Sequence, residues 1–226
     1  SFAAQLSPRT DPPNTGGVSP PQDLLNSLLG HYQNGRLSDA EKLAVAITQQ
    51  FPKHQFAWKV LGAVFGTLGR KSEAVDANQT AVILSPQDAE AHSNLGITLQ
   101  EVGRLDDALA SYSQAISLKP DFAEAHFNLG NTLQELGRLE EAVASYNQAL
   151  SFRPDFADAH SNLGNTLKEL GRLEEAQASY TQAIALNPDF TEAHYNLGNT
   201  LKEVGRLDDA LASYNRAVAL NPGHVE

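Results

Sequence analysis

The sequence predicts an all-α solenoid built from antiparallel helix pairs, and two observations lead to this class. Prolines recur every 34 residues, and the stretch 123–156 recurs before and after itself at the same spacing. A fixed period of this length is typical of stacked arrays, in which each repeat buries its apolar face on its neighbours. The periodic prolines are Pro52, Pro86, Pro120, Pro154, Pro188 and Pro222.

The first half of each repeat predicts an amphipathic helix. In the stretch 123–156, Ala125, Leu129 and Leu133 recur at helical spacing and form one apolar stripe. Gly130 lies within this stripe and is small enough for a neighbouring helix to approach closely, and we expect the same of Gly164 in the next repeat. Gly137 follows the stripe and suits a left-handed residue that ends the helix.

The second half of each repeat predicts another helix. Its apolar stripe contains Leu139, Ala142, Tyr146, Ala149 and Leu150, and Pro154 cannot continue it. After the proline, an aspartate followed three residues later by an acidic residue predicts a capping box for the next helix. These pairs are Asp121 with Glu124, Asp155 with Asp158, and Asp189 with Glu192.

The pattern of large, small and aromatic residues resembles the tetratricopeptide repeat. In the stretch 55–88 it is carried by Trp58, Leu61, Gly62, Phe65, Ala74, Ala81 and Pro86. The resemblance implies a right-handed superhelix of helix pairs whose first helices line a concave wall. We divide the array at 21–224 into six repeats, namely 21–54, 55–88, 89–122, 123–156, 157–190 and 191–224.

Both ends of the sequence depart from the repeat pattern. Residues 1–20 are rich in Pro, Ser and Gly and predict a flexible tail, for which we also hypothesise a place along a concave groove as a surrogate ligand. The repeat 21–54 is the least regular and is expected to cap the array. Residues 225–226 begin a further repeat. We therefore expect either a piece of a longer protein or an end that pairs with another copy.

Composition excludes several classes of function. The formal net charge is −11, which argues against binding to nucleic acid or to an anionic membrane. The chain has no cysteine, and its apolar runs are too short to cross a bilayer. No secretion signal or catalytic motif is visible. We therefore expect a cytoplasmic, non-enzymatic protein without a cofactor.

Asparagines form a polar stripe along the first helix of each regular repeat. They alternate with acidic residues, which would disfavour an acidic ligand. One set is Asn94, Asn128, Asn162 and Asn196; Asn131, Asn165 and Asn199 lie three residues after its last three members, on the same helix face. The neighbouring acidic residues are Glu90, Glu124, Asp158 and Glu192.

Two interpretations of the asparagines remain open at the level of sequence. Each amide bonds a neighbouring helix or is copied by duplication, or else its donors and acceptor bind the backbone of an extended peptide. The repeats, with AHSNLGNTLKE at 159–169, are similar to those of protein O-GlcNAc transferases and related bacterial repeat proteins. That resemblance implies a peptide-binding asparagine ladder, here tuned by the adjacent Phe127 and Tyr195.

The histidines at the same 34-residue spacing do not predict a metal site. Successive repeats stack about 10 Å apart, whereas ligands of one metal ion lie about 2 Å from it. We therefore predict a scaffold that binds a peptide or protein segment. The alternatives are a substrate-presenting region of a larger glycosyltransferase- or sulfotransferase-like enzyme, and a module that self-associates through its last repeat.

Overall fold

The computed structural model describes residues 19–221, which form twelve α-helices and no strand. No helix within this range is long and apolar enough to cross a membrane. The predictions for the N-terminal tail, including its place along a groove, and for residues 225–226 lie outside the described residues. The described residues divide into two compact units, an N-terminal unit up to residue 120 and a C-terminal unit from residue 121.

The N-terminal unit contains three helix pairs that pack in chain order. They are α1 (Gln22–Gln33) with α2 (Leu37–Gln50), α3 (Gln55–Thr67) with α4 (Lys71–Leu84), and α5 (Ala89–Glu101) with α6 (Leu105–Leu118). The irregular leucines of the first repeat enter the core, because Leu28 is fully buried against a cluster that includes Val60 and Val64 of α3.

The C-terminal unit contains three further pairs with the same neighbour-to-neighbour packing. They are α7 (Ala123–Glu135) with α8 (Leu139–Phe152), α9 (Ala157–Glu169) with α10 (Leu173–Leu186), and α11 (Thr191–Glu203) with α12 (Leu207–Leu220). Odd-numbered helices are the first helices of their repeats, and α7, α9 and α11 contact each other in that order.

A glycine facing a tyrosine sets the close approach within each pair of the C-terminal unit. A Cβ atom on Gly164 would lie 2.7 Å from Cε1 of Tyr180, whose side chain is fully buried. Gly130 faces Tyr146 in the same way. The prediction that these glycines allow close packing is confirmed.

The predicted helix ends are correct at the glycines and wrong at the aspartates. Gly137 has φ 72°, the left-handed conformation expected after α7. The predicted capping boxes are wrong, because α7, α9 and α11 each have a phenylalanine at the N-cap and no capping side-chain hydrogen bond. In all three, the predicted aspartate lies one residue before that cap. Among the helices of residues 19–221, only α5 has an aspartate cap, in which Asp88 accepts hydrogen bonds from the backbone N–H groups of Glu90 and Ala91.

Candidate functional site

Six asparagines lie on the first helices of the C-terminal unit, and all six are half-buried. We call this surface the asparagine wall. It comprises Asn128 and Asn131 on α7, Asn162 and Asn165 on α9, and Asn196 and Asn199 on α11.

Hydrogen bonds join the wall from one repeat to the next. Oδ1 of Asn131 accepts from Nδ2 of Asn162 at 2.8 Å, and also from the hydroxyl of Tyr146 at 2.8 Å. Oδ1 of Asn165 likewise accepts from Nδ2 of Asn196 at 2.9 Å and from the hydroxyl of Tyr180 at 2.7 Å. The interpretation that an asparagine bonds the neighbouring helix is therefore correct for these residues.

Burial keeps the two tyrosine hydroxyls in their donating form. It raises the pKa of the Tyr146 and Tyr180 phenols well above the ordinary value, and nearby carboxylates such as Glu169 raise it further. Both hydroxyls therefore remain protonated over the physiological range. They hold the carbonyl oxygens of Asn131 and Asn165 toward the second helix of the same repeat.

The internal bonds leave a defined set of amide atoms unused. A carboxamide has two N–H donors and an oxygen with two lone pairs. Asn131 and Asn165 use both lone pairs internally and keep both donors, whereas Asn162 and Asn196 use one donor and keep the oxygen. Each linked pair therefore presents an NH₂ group beside a carbonyl oxygen.

Asn94 in the N-terminal unit differs from the wall. It is only 1% exposed, and neither atom of its amide has a hydrogen-bond partner. Asn162 bonds Asn131, which lies 31 residues before it, whereas the residue 31 positions before Asn94 is Ala63. The position equivalent to Tyr146 holds Asn78. The amide of Asn94 is thus both unsatisfied and hidden from solvent.

The two aromatic residues predicted at the site lie beside the wall. Phe127 packs between Phe156 and Tyr146, with ring centroids 4.6 Å and 6.0 Å away. Tyr195 packs on Tyr214 with centroids 5.8 Å apart. Both side chains are half-buried and keep part of their surface accessible next to the asparagines.

Ion pairs offset part of the acidic character predicted for the first helices. Glu124 contacts Arg153 at 2.6 Å, and Glu90 contacts Lys59 at 3.0 Å. Across the wall, Gln134 donates to Glu169 at 3.0 Å and Lys168 contacts Glu203 at 3.1 Å. These contacts add a second link between successive first helices.

The N-terminal unit contains a buried ionic cluster that was not predicted from the sequence. Lys59 is 5% exposed, and its Nζ lies 3.1 Å from the carboxylate of Asp88, which also accepts from the Gln55 amide. Burial opposes ionisation of Asp88, but Lys59 and Gln55 outweigh it and hold its pKa below the ordinary value. The sequence could have indicated this cluster, because Lys59 and Asp88 together replace the two aromatic residues that a later repeat has as Phe127 and Phe156.

The periodic histidines make a structural contact. Nε2 of His160 lies 3.1 Å from the carbonyl oxygen of Pro154, and His194 makes the same contact with Pro188 at 3.0 Å. A carbonyl only accepts, so Nε2 carries the proton. Within residues 19–221, no group of three or more side chains suited to a metal ion occurs.

Comparison with known families agrees with this architecture. Models described as TPR repeat match residues 99–137, 131–171 and 164–205, and models described as tetratricopeptide repeat match 28–89 and 191–224. The chain belongs to the tetratricopeptide repeat family. No curated protein matches the sequence significantly.

Several solved tetratricopeptide repeat structures are similar to this one. The pilF protein of Pseudomonas aeruginosa has a TM-score of 0.80 at 18% identity, covering 90% of this chain and 93% of that chain. MamA has a TM-score of 0.67 at 24% identity, covering 72% and 95%. YrrB, described as a TPR protein with an unusual peptide-binding site, has a TM-score of 0.65 at 18% identity, covering 80% and 93%. At these identities the similarity establishes the fold.

Proposed function

We propose that this protein is a non-catalytic scaffold that binds an extended peptide segment on the asparagine wall. The observation that carries the proposal is the set of amide donors and acceptors left unused after the internal hydrogen bonds are made. An amide pairs with the N–H and C=O groups of any peptide, so such a surface tolerates different side chains. YrrB, with its described peptide-binding site, supports the same class of ligand.

The side chains beside the wall restrict the ligand further. Phe127 and Tyr195 offer apolar surface for aliphatic or proline side chains, while Asp158 and Glu192 disfavour acidic ones. Asn128 adds a half-buried amide at the start of the wall. The residue at the sequence position equivalent to Asn131 in the preceding repeat is Ile97, whose side chain has no hydrogen-bonding atom. Asn94 makes no contact in this proposal, because it is buried.

A peptide array tests the proposal. We expect the wild type to bind extended, Pro/Ser/Thr-rich peptides and the triple variant Asn128→Ala, Asn162→Ala, Asn196→Ala to lose this binding at least tenfold. The matched control is Asn147→Ala with Asn215→Ala, which removes exposed asparagines from the second helices. Equal loss in both variants, with both folded by circular dichroism, would contradict the proposal.

We propose as an alternative that the same wall serves a larger enzyme, on the basis of the resemblance of the stretch 159–169 to the repeats of O-GlcNAc transferases. In that alternative the array presents substrate segments to a catalytic domain of a glycosyltransferase- or sulfotransferase-like protein. The binding surface is the same in both cases, so the array experiment does not separate them. Transfer activity in a longer form of the chain, lost with the triple asparagine variant, would favour the enzyme.

Self-association through the last repeat is a second candidate, and it has an observation of its own. Leu207 and Leu211 on α12 are 64% and 59% exposed, whereas Val143, the equivalent of Leu211 on α8, is 7% exposed. Leu211→Glu should leave the folded state intact and abolish any concentration-dependent association measured by sedimentation. Association that persists in this variant would exclude the α12 face as the contact.

A further inference from the structure

Each linked asparagine pair forms one binding rung. The first rung consists of the free NH₂ of Asn131 beside the free carbonyl oxygen of Asn162, and the second consists of Asn165 with Asn196. A single extended residue presents its own N–H and C=O toward one side, as strand residues do in a ladder. One ligand residue therefore satisfies one rung.

The spacing of the rungs selects the conformation of the ligand. Rungs recur once per repeat, and packed helices lie about 8–10 Å apart. A polyproline II helix has three residues per turn and a rise of about 3.1 Å per residue, so equivalent residues recur every ~9.3 Å. A β-strand turns the same side to a surface every second residue, at about 6.6 Å. The polyproline II period fits the rungs and the strand period does not.

The tyrosines determine which amide atom each rung exposes. The hydroxyl of Tyr146 lies 2.8 Å from Oδ1 of Asn131 and 3.0 Å from Oε1 of Gln134, and the shorter contact holds the asparagine oxygen toward the second helix, which leaves the NH₂ group without an internal partner. The hydroxyl of Tyr180 holds the oxygen of Asn165 in the same way. In the N-terminal unit, Ile97 occupies the asparagine position, and the hydroxyl of Tyr112 bonds the Gln100 amide oxygen at 3.2 Å, the counterpart of the Tyr146 contact with Gln134.

We propose that the asparagine wall recognises a polyproline II segment, with every third ligand residue bonded to one rung, and that Tyr146 and Tyr180 are the positioning residues for this contact. This inference rests on the proposed function and specifies its ligand. Proline suits the two residues between rungs, since it has no N–H to satisfy and fixes φ near the polyproline II value. The rung residue itself must have an N–H.

Three synthetic dodecapeptides test the ligand class, namely (Thr-Pro-Pro)₄, Pro₁₂ and (Thr-Val)₆. We expect calorimetry to show the tightest binding for (Thr-Pro-Pro)₄, with at least tenfold weaker binding for Pro₁₂, which lacks every backbone N–H, and for the strand-forming (Thr-Val)₆. Equal binding of Pro₁₂ would overturn the role of the N–H. Tighter binding of (Thr-Val)₆ would overturn the polyproline II assignment while leaving the proposed function standing.

Failure of the proposed function has a separate signature. If none of the three peptides binds and the array also yields no ligand, both the proposed function and the ligand class are overturned. If the array yields ligands that lose affinity in the triple asparagine variant but do not follow the three-residue proline pattern, only the inference about conformation fails.

The positioning role is tested with Tyr146→Phe and Tyr180→Phe, using Tyr112→Phe as the matched control. Each change removes one hydroxyl and keeps the ring that packs on glycine. We expect affinity for (Thr-Pro-Pro)₄ to fall about three- to tenfold in the first two variants and to stay unchanged in the control, as loss of one hydrogen bond predicts. The side-chain amide signals of Asn131 and Asn165 should also shift in the free protein. Unchanged amide signals, or an equal effect of Tyr112→Phe, would overturn the positioning role.

Discussion

At the scale of single residues, the asparagines show that one carboxamide serves both packing and binding. In the C-terminal unit, Asn131 bonds a tyrosine and the next repeat through its oxygen and still keeps two donors. In the N-terminal unit, Asn94 occupies the same register as Asn162 but has lost its acceptor, because Ala63 replaces an asparagine. The same residue type therefore has opposite energetic consequences at two positions of one pattern.

Replacing each of these asparagines with leucine should give changes of opposite sign. Asn94→Leu removes a buried amide without a partner and should stabilise the protein by about 1–3 kcal/mol. Asn162→Leu removes a hydrogen bond between repeats and should destabilise it by about 1 kcal/mol. Urea unfolding of both variants measures the difference. Destabilisation by Asn94→Leu would indicate that its amide has a partner, such as a buried water.

The effect of replacing a helical glycine depends on what surrounds it. Gly164→Ala places a methyl group against the buried Tyr180 ring and should cost about 1–3 kcal/mol, more than the gain in helix propensity. Gly66→Ala is the control, since a Cβ atom there meets nothing within 4 Å, and it should stabilise by about 0.5–1 kcal/mol. Thermal unfolding compares the two. An equal effect would mean that the ring yields to the added methyl group.

At the scale of elements, the sequence predicts helix ends where backbone conformation decides and fails where the position of a capping side chain decides to within one residue. The left-handed glycines such as Gly137 were predictable, because few other residues adopt that conformation at low cost. The N-caps were not, because the aspartates before α7, α9 and α11 lie one residue ahead of the cap, and a phenylalanine such as Phe156 occupies the cap position itself. At α5, Asp88 occupies the cap position and caps the helix while it pairs with Lys59.

The ionic cluster makes the stability of the N-terminal unit depend on pH. The pKa of Asp88 is lower in the folded protein than its ordinary value of 3.8, so its contribution is complete above that value and is lost as pH falls through the folded pKa. Asp88→Asn retains a capping oxygen but loses the charge. It should destabilise the protein by about 1.5–3 kcal/mol at neutral pH, and by progressively less below pH 3.8.

Denaturant unfolding of the wild type and of Asp88→Asn at several pH values measures this dependence. Asp155→Asn is the control, because Asp155 is exposed and no ion pair is formed by it among residues 19–221. A stability difference between wild type and Asp88→Asn that stays constant from neutral pH to pH 3 would contradict the assigned role of the carboxylate.

At the scale of the whole molecule, the 34-residue period was enough to predict the fold and the faces of the helices. Twelve helices follow from the shared period, and the glycine-to-tyrosine packing follows from a pattern that the four repeats after residue 88 share. The sequence did not predict which amide atoms make internal hydrogen bonds. Asn131 and Asn162 belong to different repeats, and Oδ1 of Asn131 accepts both from Asn162 and from the Tyr146 hydroxyl. The unsatisfied amide of Asn94 likewise goes with Ala63 and Asn78, which break the pattern.

If the asparagine wall binds peptide backbone, as proposed, its side-chain amides must respond to a bound peptide. In protein labelled with ¹⁵N at asparagine, titration with the best array peptide should shift the side-chain signals of Asn131, Asn162, Asn165 and Asn196. The signals of Asn147 and Asn215, which are exposed on second helices, should stay in place. Shifts confined to those two residues, with the wall unaffected by a bound peptide, would contradict the claim.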